Sequence, residues 1–118
     1  MLSALRTLLV WLLLASCASG ENSMGQVVVV ETIVASQDAH EIERLVTVPF
    51  ERAIHTLRGF ARTESQTKPG HVRVEIFYAG SPPFEAVRKI ESVVLAEWVN
   101  FSSLASKPMV SIKASALP

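Results

Sequence analysis

A four-stranded antiparallel sheet with two helices on one face is the fold this sequence predicts, an α+β arrangement in the order strand, helix, strand, strand, helix, strand. Three observations carry that expectation. A dense β-branched run, QVVVVETIV, spans Gln26 to Val34. Two later stretches repeat apolar residues at three- and four-residue steps, and Lys68-Pro69-Gly70-His71 sits between two strand-like segments as a hairpin turn would.

In chain order, the continuous apolar character of Gln26 to Val34 suits a central strand. Ser36 or Asp38 is placed to cap the helix that follows, in which Ile42, Leu45, Val46, Phe50, Ala53, Ile54 and Leu57 form the packing face. Pro49 lies inside that pattern. It lacks an amide donor and crowds the carbonyl of Leu45, so one bent helix is expected, ending at Arg58-Gly59. Phe60 to Thr67 is polar and alternating, as an exposed edge strand is. After the turn, Val72 to Ala79 should pair back, with Val72, Val74, Ile76 and Tyr78 on one side and Arg73, Glu75 and Phe77 on the other.

Ser81 and Pro82 are expected to cap and open the second helix, whose buried stripe would comprise Phe84, Val87, Ile90, Val94, Trp98 and Phe101. Met109 to Ala114 is a short last strand, with Met109 read as a packing residue. This order is the ferredoxin-like one, and right-handed crossovers put the first and third strands in the middle of the sheet. The far face of the sheet would then expose part of the valine run and Phe77, and so invite a covering partner.

The first sixteen residues read as a secretory signal rather than as fold: Arg6 is their one cation, and Leu8 to Ala15 is an apolar run too short to span a bilayer. Leu14-Ala15-Ser16-Cys17 has the form of a bacterial lipoprotein lipobox, which makes Cys17, the chain's only cysteine, the expected lipid attachment point. The predicted organisation is a signal peptide (1–16), a lipidated polar tether (17–25) and a folded domain (26–118). The domain would be held on the periplasmic side of a membrane by its N-terminal lipid. Ala18 after the cysteine, rather than aspartate, favours the outer membrane over the inner one. With Arg6 removed, ten of the eleven Lys/Arg remain against eleven Asp/Glu, a balance that argues against a nucleic-acid partner.

Candidate chemistry is sparse. Glu51 and His55 stand one helical turn apart and could share a metal ion, but a solvated pair is the plainer reading. No Cys-x-x-Cys pair, nucleophile elbow or carboxylate pair is present, so no catalytic residue, metal ligand or cofactor is expected and the chain reads as non-enzymatic.

Val28 to Ile54 (VVVETIVASQDAHEIERLVTVPFERAI), Leu57 to Gly80 (LRGFARTESQTKPGHVRVEIFYAG) and Pro108 to Ser115 (PMVSIKAS) together resemble the first N-terminal porter subdomain of resistance-nodulation-division (RND) efflux transporters, its heavy-metal branch most. Pro-Gly is usual before the helix in that family; Ser36-Gln37 stands there in this chain. The membrane helices, sister subdomains and docking domain are lacking, so the resemblance implies a porter-like domain with no transport activity of its own. It implies self-association as a homo-oligomer, or docking to an RND pump, adaptor or other envelope assembly. The residues expected to form that partner surface are Arg44, Thr47, Glu51, His55 and Phe77. Two alternatives stand beside this reading: a lipoprotein that buffers or delivers a small ligand or metal ion for export, and an idle fragment of a pump.

Overall fold

The computed structural model describes residues 25–114, and the expected signal segment, tether and Cys17 lie outside the described residues. Strand β1 (Gln26–Ile33) runs between β3 (His71–Tyr78) and β4 (Met109–Ala114), and β2 (Arg62–Lys68) forms the far edge beside β3. All pairings are antiparallel, and the order β2-β3-β1-β4 is the ferredoxin-like one predicted. Val28, Val30 and Thr32 of β1 lie opposite Ile76, Val74 and Val72 of β3, so these positions share the face that meets the helices.

The first helix, α1, is continuous through three pieces: Ala39–Ile42, a π-helical stretch Glu43–Thr47, and Val48–Ile54. Asp38 caps it by accepting from the amides of His40 and Glu41. Pro49 does not divide the helix. The turn before it is widened, with the Val48 amide reaching back to the Glu43 carbonyl, so the backbone absorbs the missing donor as a π segment. Gly59, at φ 99°, ends the run in the left-handed region that favours glycine, as the Arg58-Gly59 pair predicts.

Helix α2 (Phe84–Trp98) continues into a single 3-10 turn, Val99–Phe101. Its N-cap is Pro83 with no side-chain cap bond, so Ser81 and Pro82 fall outside the helix they were expected to open. Phe84, at the first helical position, is 76% exposed instead of buried, with the Arg88 guanidinium over its ring. Met109, expected to pack, is 75% exposed: it lies opposite Glu31, on the outer face at the start of an edge strand.

The core is a row of Ile42, Val46, Phe50 and Ile54 from α1 and Ile90 and Val94 from α2, set against the inner faces of β1 and β3. Phe50 meets Phe101 edge-on at 5.3 Å. The C-terminal end of β1 is tied down by Val34 to the Gly70 carbonyl, Ala35 to Leu104 and Ser106 to Ile33, and Trp98 donates to the Ala105 carbonyl at 2.8 Å. The outer sheet face departs from expectation, since Val27 and Val29 are buried. Their neighbours on that face are long and charged: Arg62 lies over the Phe77 ring and pairs with Glu64, and Arg73 reaches both Glu31 and Glu75. Among the described residues no helix is long and apolar enough to cross a membrane.

Candidate functional site

Two features of the helical layer combine polar chemistry with shape, and α1 contributes to both. The first is a ladder of side-chain hydrogen bonds between α1 and β2. Thr47 meets Thr67 at 2.8 Å, Ser65 donates to Glu51 at 2.8 Å, and His55 Nε2 meets the Thr63 hydroxyl at 3.0 Å. Four residues of helix advance about 6 Å and two residues of strand about 6.8 Å, so steps of four on α1 stay in phase with steps of two on β2. The predicted partner-surface residues are thereby accounted for. Thr47 is buried, while Glu51 and His55 engage β2, and His55 also stands 5.7 Å from the Phe60 ring. Phe77 is across the sheet under Arg62, and Arg44 is exposed on α1. The structure therefore joins Thr47, Glu51 and His55 in one row and leaves Arg44 and Phe77 apart from it.

Among the described residues no group of three or more His, Cys, Asp or Glu side chains is placed to hold an ion.

The second feature is a cleft of about 450 Å³ at the end of the helical layer, where α1 stops, β3 ends and α2 begins. Leu57 and Arg58 come from the tight turn closing α1, in which Thr56 and Leu57 donate to the carbonyls of Ala53 and Ile54. Pro83, Glu85 and Lys89 come from the first turns of α2. Tyr78, the last residue of β3 and the chain's only tyrosine, contributes its side chain to the lining.

Tyr78 is 7% exposed, and its hydroxyl has no hydrogen-bond partner among the described residues. Burial pushes that hydroxyl above its ordinary pKa, so it holds its proton at neutral pH and is available as a donor. Arg58 and Lys89 form no ion pair among the described residues. The cleft thus offers one phenolic O–H donor and two cations, with the Glu85 carboxylate as the negative group of its lining. Sequence reasoning placed Tyr78 in the core, Arg58 at a helix terminus and Lys89 on a wet helix face. The available signal was a phenol ending an otherwise aliphatic strand face.

Two further depressions lie along the helices. One of about 280 Å³ is lined by Ala53, Thr56, Val93, Ala96 and Glu97. Another, of about 490 Å³, lies at the opposite end, between Leu45, Pro49 and Arg52 of α1 and the Asn100 to Leu104 stretch.

No protein-family model matches this chain, and no curated protein matches it. Solved structures do. SnoaB, a cofactor-independent oxygenase from Streptomyces nogalater, aligns with a TM-score of 0.57 at 13% identity, over 80% of this chain and 96% of its own. A monooxygenase from the gene ActVA-Orf6 of Streptomyces coelicolor, in complex with the ligand Nanaomycin D, gives 0.53 at 19% identity, over 81% and 94%. The de novo designed protein Foldit4 gives 0.50 at 17% identity, so at such identities the likeness is one of fold. These matches correct the expectation of a non-enzymatic, porter-like docking domain: natural chains sharing this architecture along most of their length include a cofactor-independent oxygenase and a monooxygenase, and none of the comparisons points to a porter subdomain. Sequence reasoning missed this because every motif it matched to the porter encodes a cap, a bend or a turn, which unrelated proteins of one fold share.

Proposed function

We propose that the protein binds a small organic acid or phenol in the Tyr78 cleft and acts on it as an enzyme, with dioxygen as co-substrate. The observation that carries this reading is the Tyr78 hydroxyl, without a hydrogen-bond partner among the described residues, in a cleft flanked by Arg58 and Lys89. The architecture shared with a cofactor-independent oxygenase supports the choice of reaction.

In this reading the ligand's oxyanion accepts from Tyr78 and sits between the two cations, which favours the ionised form of an enol or phenol. Glu85 in the cleft lining is the carboxylate that would take the proton. The anion so held is electron-rich enough to react with dioxygen directly. A methylene carbon becomes a carbonyl, the second oxygen atom leaves as water, and the substrate supplies all four electrons.

The test combines calorimetric titration with hydroxyaromatic acids and oxygen uptake with an enolisable polycyclic ketone such as anthrone. Saturable binding with perturbed tyrosine absorbance is expected, together with one dioxygen consumed per ketone and both effects weakened at least tenfold by Tyr78→Phe. Absence of binding by every such compound, or a Tyr78→Phe variant that binds and turns over unchanged, overturns the proposal.

A further inference from the structure

The apolar surface that the fold leaves open gathers along one edge of the molecule. Of the large apolar side chains exposed among the described residues, all but Val48 lie on or beside the β4 side. Since α1 is bonded to β2, α2 is the helix on that side. Helical phase divides it: Ile90 and Val94 face the core, Glu85, Ala86 and Lys89 face the cleft toward α1, and Phe84, Leu95 and Val99 fall on the opposite flank. Val99 is 66% exposed there. Ile112 of β4 lies opposite Val28 and so on the inner face, yet it is 52% exposed where Val28 is fully buried. Ile33 and Met109 stand exposed on the outer face beside the start of the same strand. The two sheet edges therefore differ. On β2, Arg62, Glu64 and Lys68 supply charge and the hydroxyls are committed to α1, as a guarded edge requires. On β4 the one charge is Lys113, and among the described residues no strand pairs with its outer side.

We propose that the β4 edge docks a second copy of this chain, β4 pairing with β4 antiparallel about a two-fold axis at Ser111, so that two sheets become one of eight strands. The sequence of β4 fits that register. With Ser111 opposite itself, Val110 meets the partner's Ile112, which continues the inner apolar face across the axis, and Met109 meets the stem of the partner's Lys113. The helices fit as well. Two helices about 10 Å apart and centred on four strands place α2 midway between β1 and β4, about 5 Å from an axis lying half a strand spacing beyond β4. The two copies of α2 then run about 10 Å apart, which is a packing distance, and their outer flanks close on each other. Ser111 lies opposite Val29, halfway along β1, so the axis passes the middle of α2 near Glu91. Phe84 of each copy thus meets Val99 of the other, and Arg88 comes within reach of the Glu91 carboxylate across the axis. An unrelated strand could satisfy the β4 backbone, but only a second α2 covers Phe84, Leu95 and Val99 at the same time. The Tyr78 cleft opens on the α1 side of α2 and stays accessible in the dimer, so this inference stands apart from the proposed activity.

The test is sedimentation equilibrium of the full chain in a mild nonionic detergent over a wide range of concentration, with Cys17→Ala throughout so that neither a native thiol nor lipid contributes. A reversible dimer is expected. Ile112 is exposed, so Ile112→Lys leaves the core intact, and because the axis brings in the change twice it should weaken the dimer at least about tenfold with the circular dichroism unaltered. Oxidation provides the register: Ser111→Cys should cross-link to a covalent dimer, whereas Gln66→Cys, exposed on the opposite edge, should not. A chain that stays monomeric at every concentration overturns the proposal. So does a dimer that Ile112→Lys does not weaken, or one that Gln66→Cys cross-links and Ser111→Cys does not, since either places the contact elsewhere.

Discussion

The hydrogen bond between Thr47 and Thr67 provides a direct measurement of what the ladder between α1 and β2 contributes. Thr47 is 1% exposed, and its hydroxyl lies 2.8 Å from that of Thr67. Replacing either residue by valine keeps the β-branched shape, but leaves the other hydroxyl in a largely dry place. Each single substitution should therefore cost about 1–2 kcal/mol. Replacing both removes donor and acceptor together, and valine fits the strand position as well as threonine does, so the double variant should lose under about 1 kcal/mol. The single losses together reach about 2–4 kcal/mol, so the cycle closes with a coupling of roughly 1–4 kcal/mol, well beyond the roughly 0.5 kcal/mol scatter of independent sites. Urea denaturation of the four proteins reads it, at roughly 0.5–1 M change in midpoint per kcal/mol. If the two single losses simply add in Thr47→Val/Thr67→Val, the hydroxyls do not depend on each other and the ladder is not a stabilising unit.

Three other outcomes follow from single residues. Asp38→Ala removes the acceptor for the His40 and Glu41 amides and should cost about 1 kcal/mol, read by the same denaturation, with Asp38→Ser recovering most of it. Because burial raises the Tyr78 pKa, the folded state holds that proton more tightly than the unfolded chain, so its contribution is fully present below pH about 10 and is lost as pH rises through the folded value. Absorbance titration at alkaline pH, which in a chain with one tyrosine reports Tyr78 alone, should show ionisation above the usual range and coincident with loss of stability; Tyr78→Phe should abolish that alkaline loss. We also propose that Cys17 carries lipid: metabolic labelling with a fatty acid should mark the protein, Cys17→Ala should abolish the label, and an unlabelled native protein would refute the lipobox reading.

The fold was legible because its signals are local and repeat. Alternation along His71–Tyr78, the valines of β1 and the Pro69-Gly70 turn each fix a period or a reversal, and β4 was placed at Met109 to Ala114 from composition alone. Errors came where a period runs out. Phe84 keeps helical phase with Val87 and Ile90 but is left exposed at the helix's first position, and Ser81 looks like a cap while the helix starts three residues later. Periodicity reports which face a residue is on, not whether anything lies opposite. The same limit applies to the polar row on α1: Thr47, Glu51 and His55 are in phase, but their hydrogen bonds to the edge strand β2 cannot be read from the helix alone.

The Tyr78 cleft was hidden for a related reason. Its lining comes from the end of α1, the end of β3 and the start of α2, three places 57, 78 and 85 residues along the chain that no sequence window compares. Each side chain has an adequate local explanation: Arg58 favours a helix C-terminus, Tyr78 continues the apolar face of β3, and Lys89 sits on a solvated helical position. Only their convergence is informative. In this fold the faces of α1 are already committed, one row of Ile42, Val46, Phe50 and Ile54 to the core and another of Thr47, Glu51 and His55 to β2. What the helix has left for a ligand is its terminus and the shallow side toward α2. Those are the places where the Tyr78 phenol, Arg58 and Lys89 are found, so the committed faces and the proposed site are two consequences of the same packing.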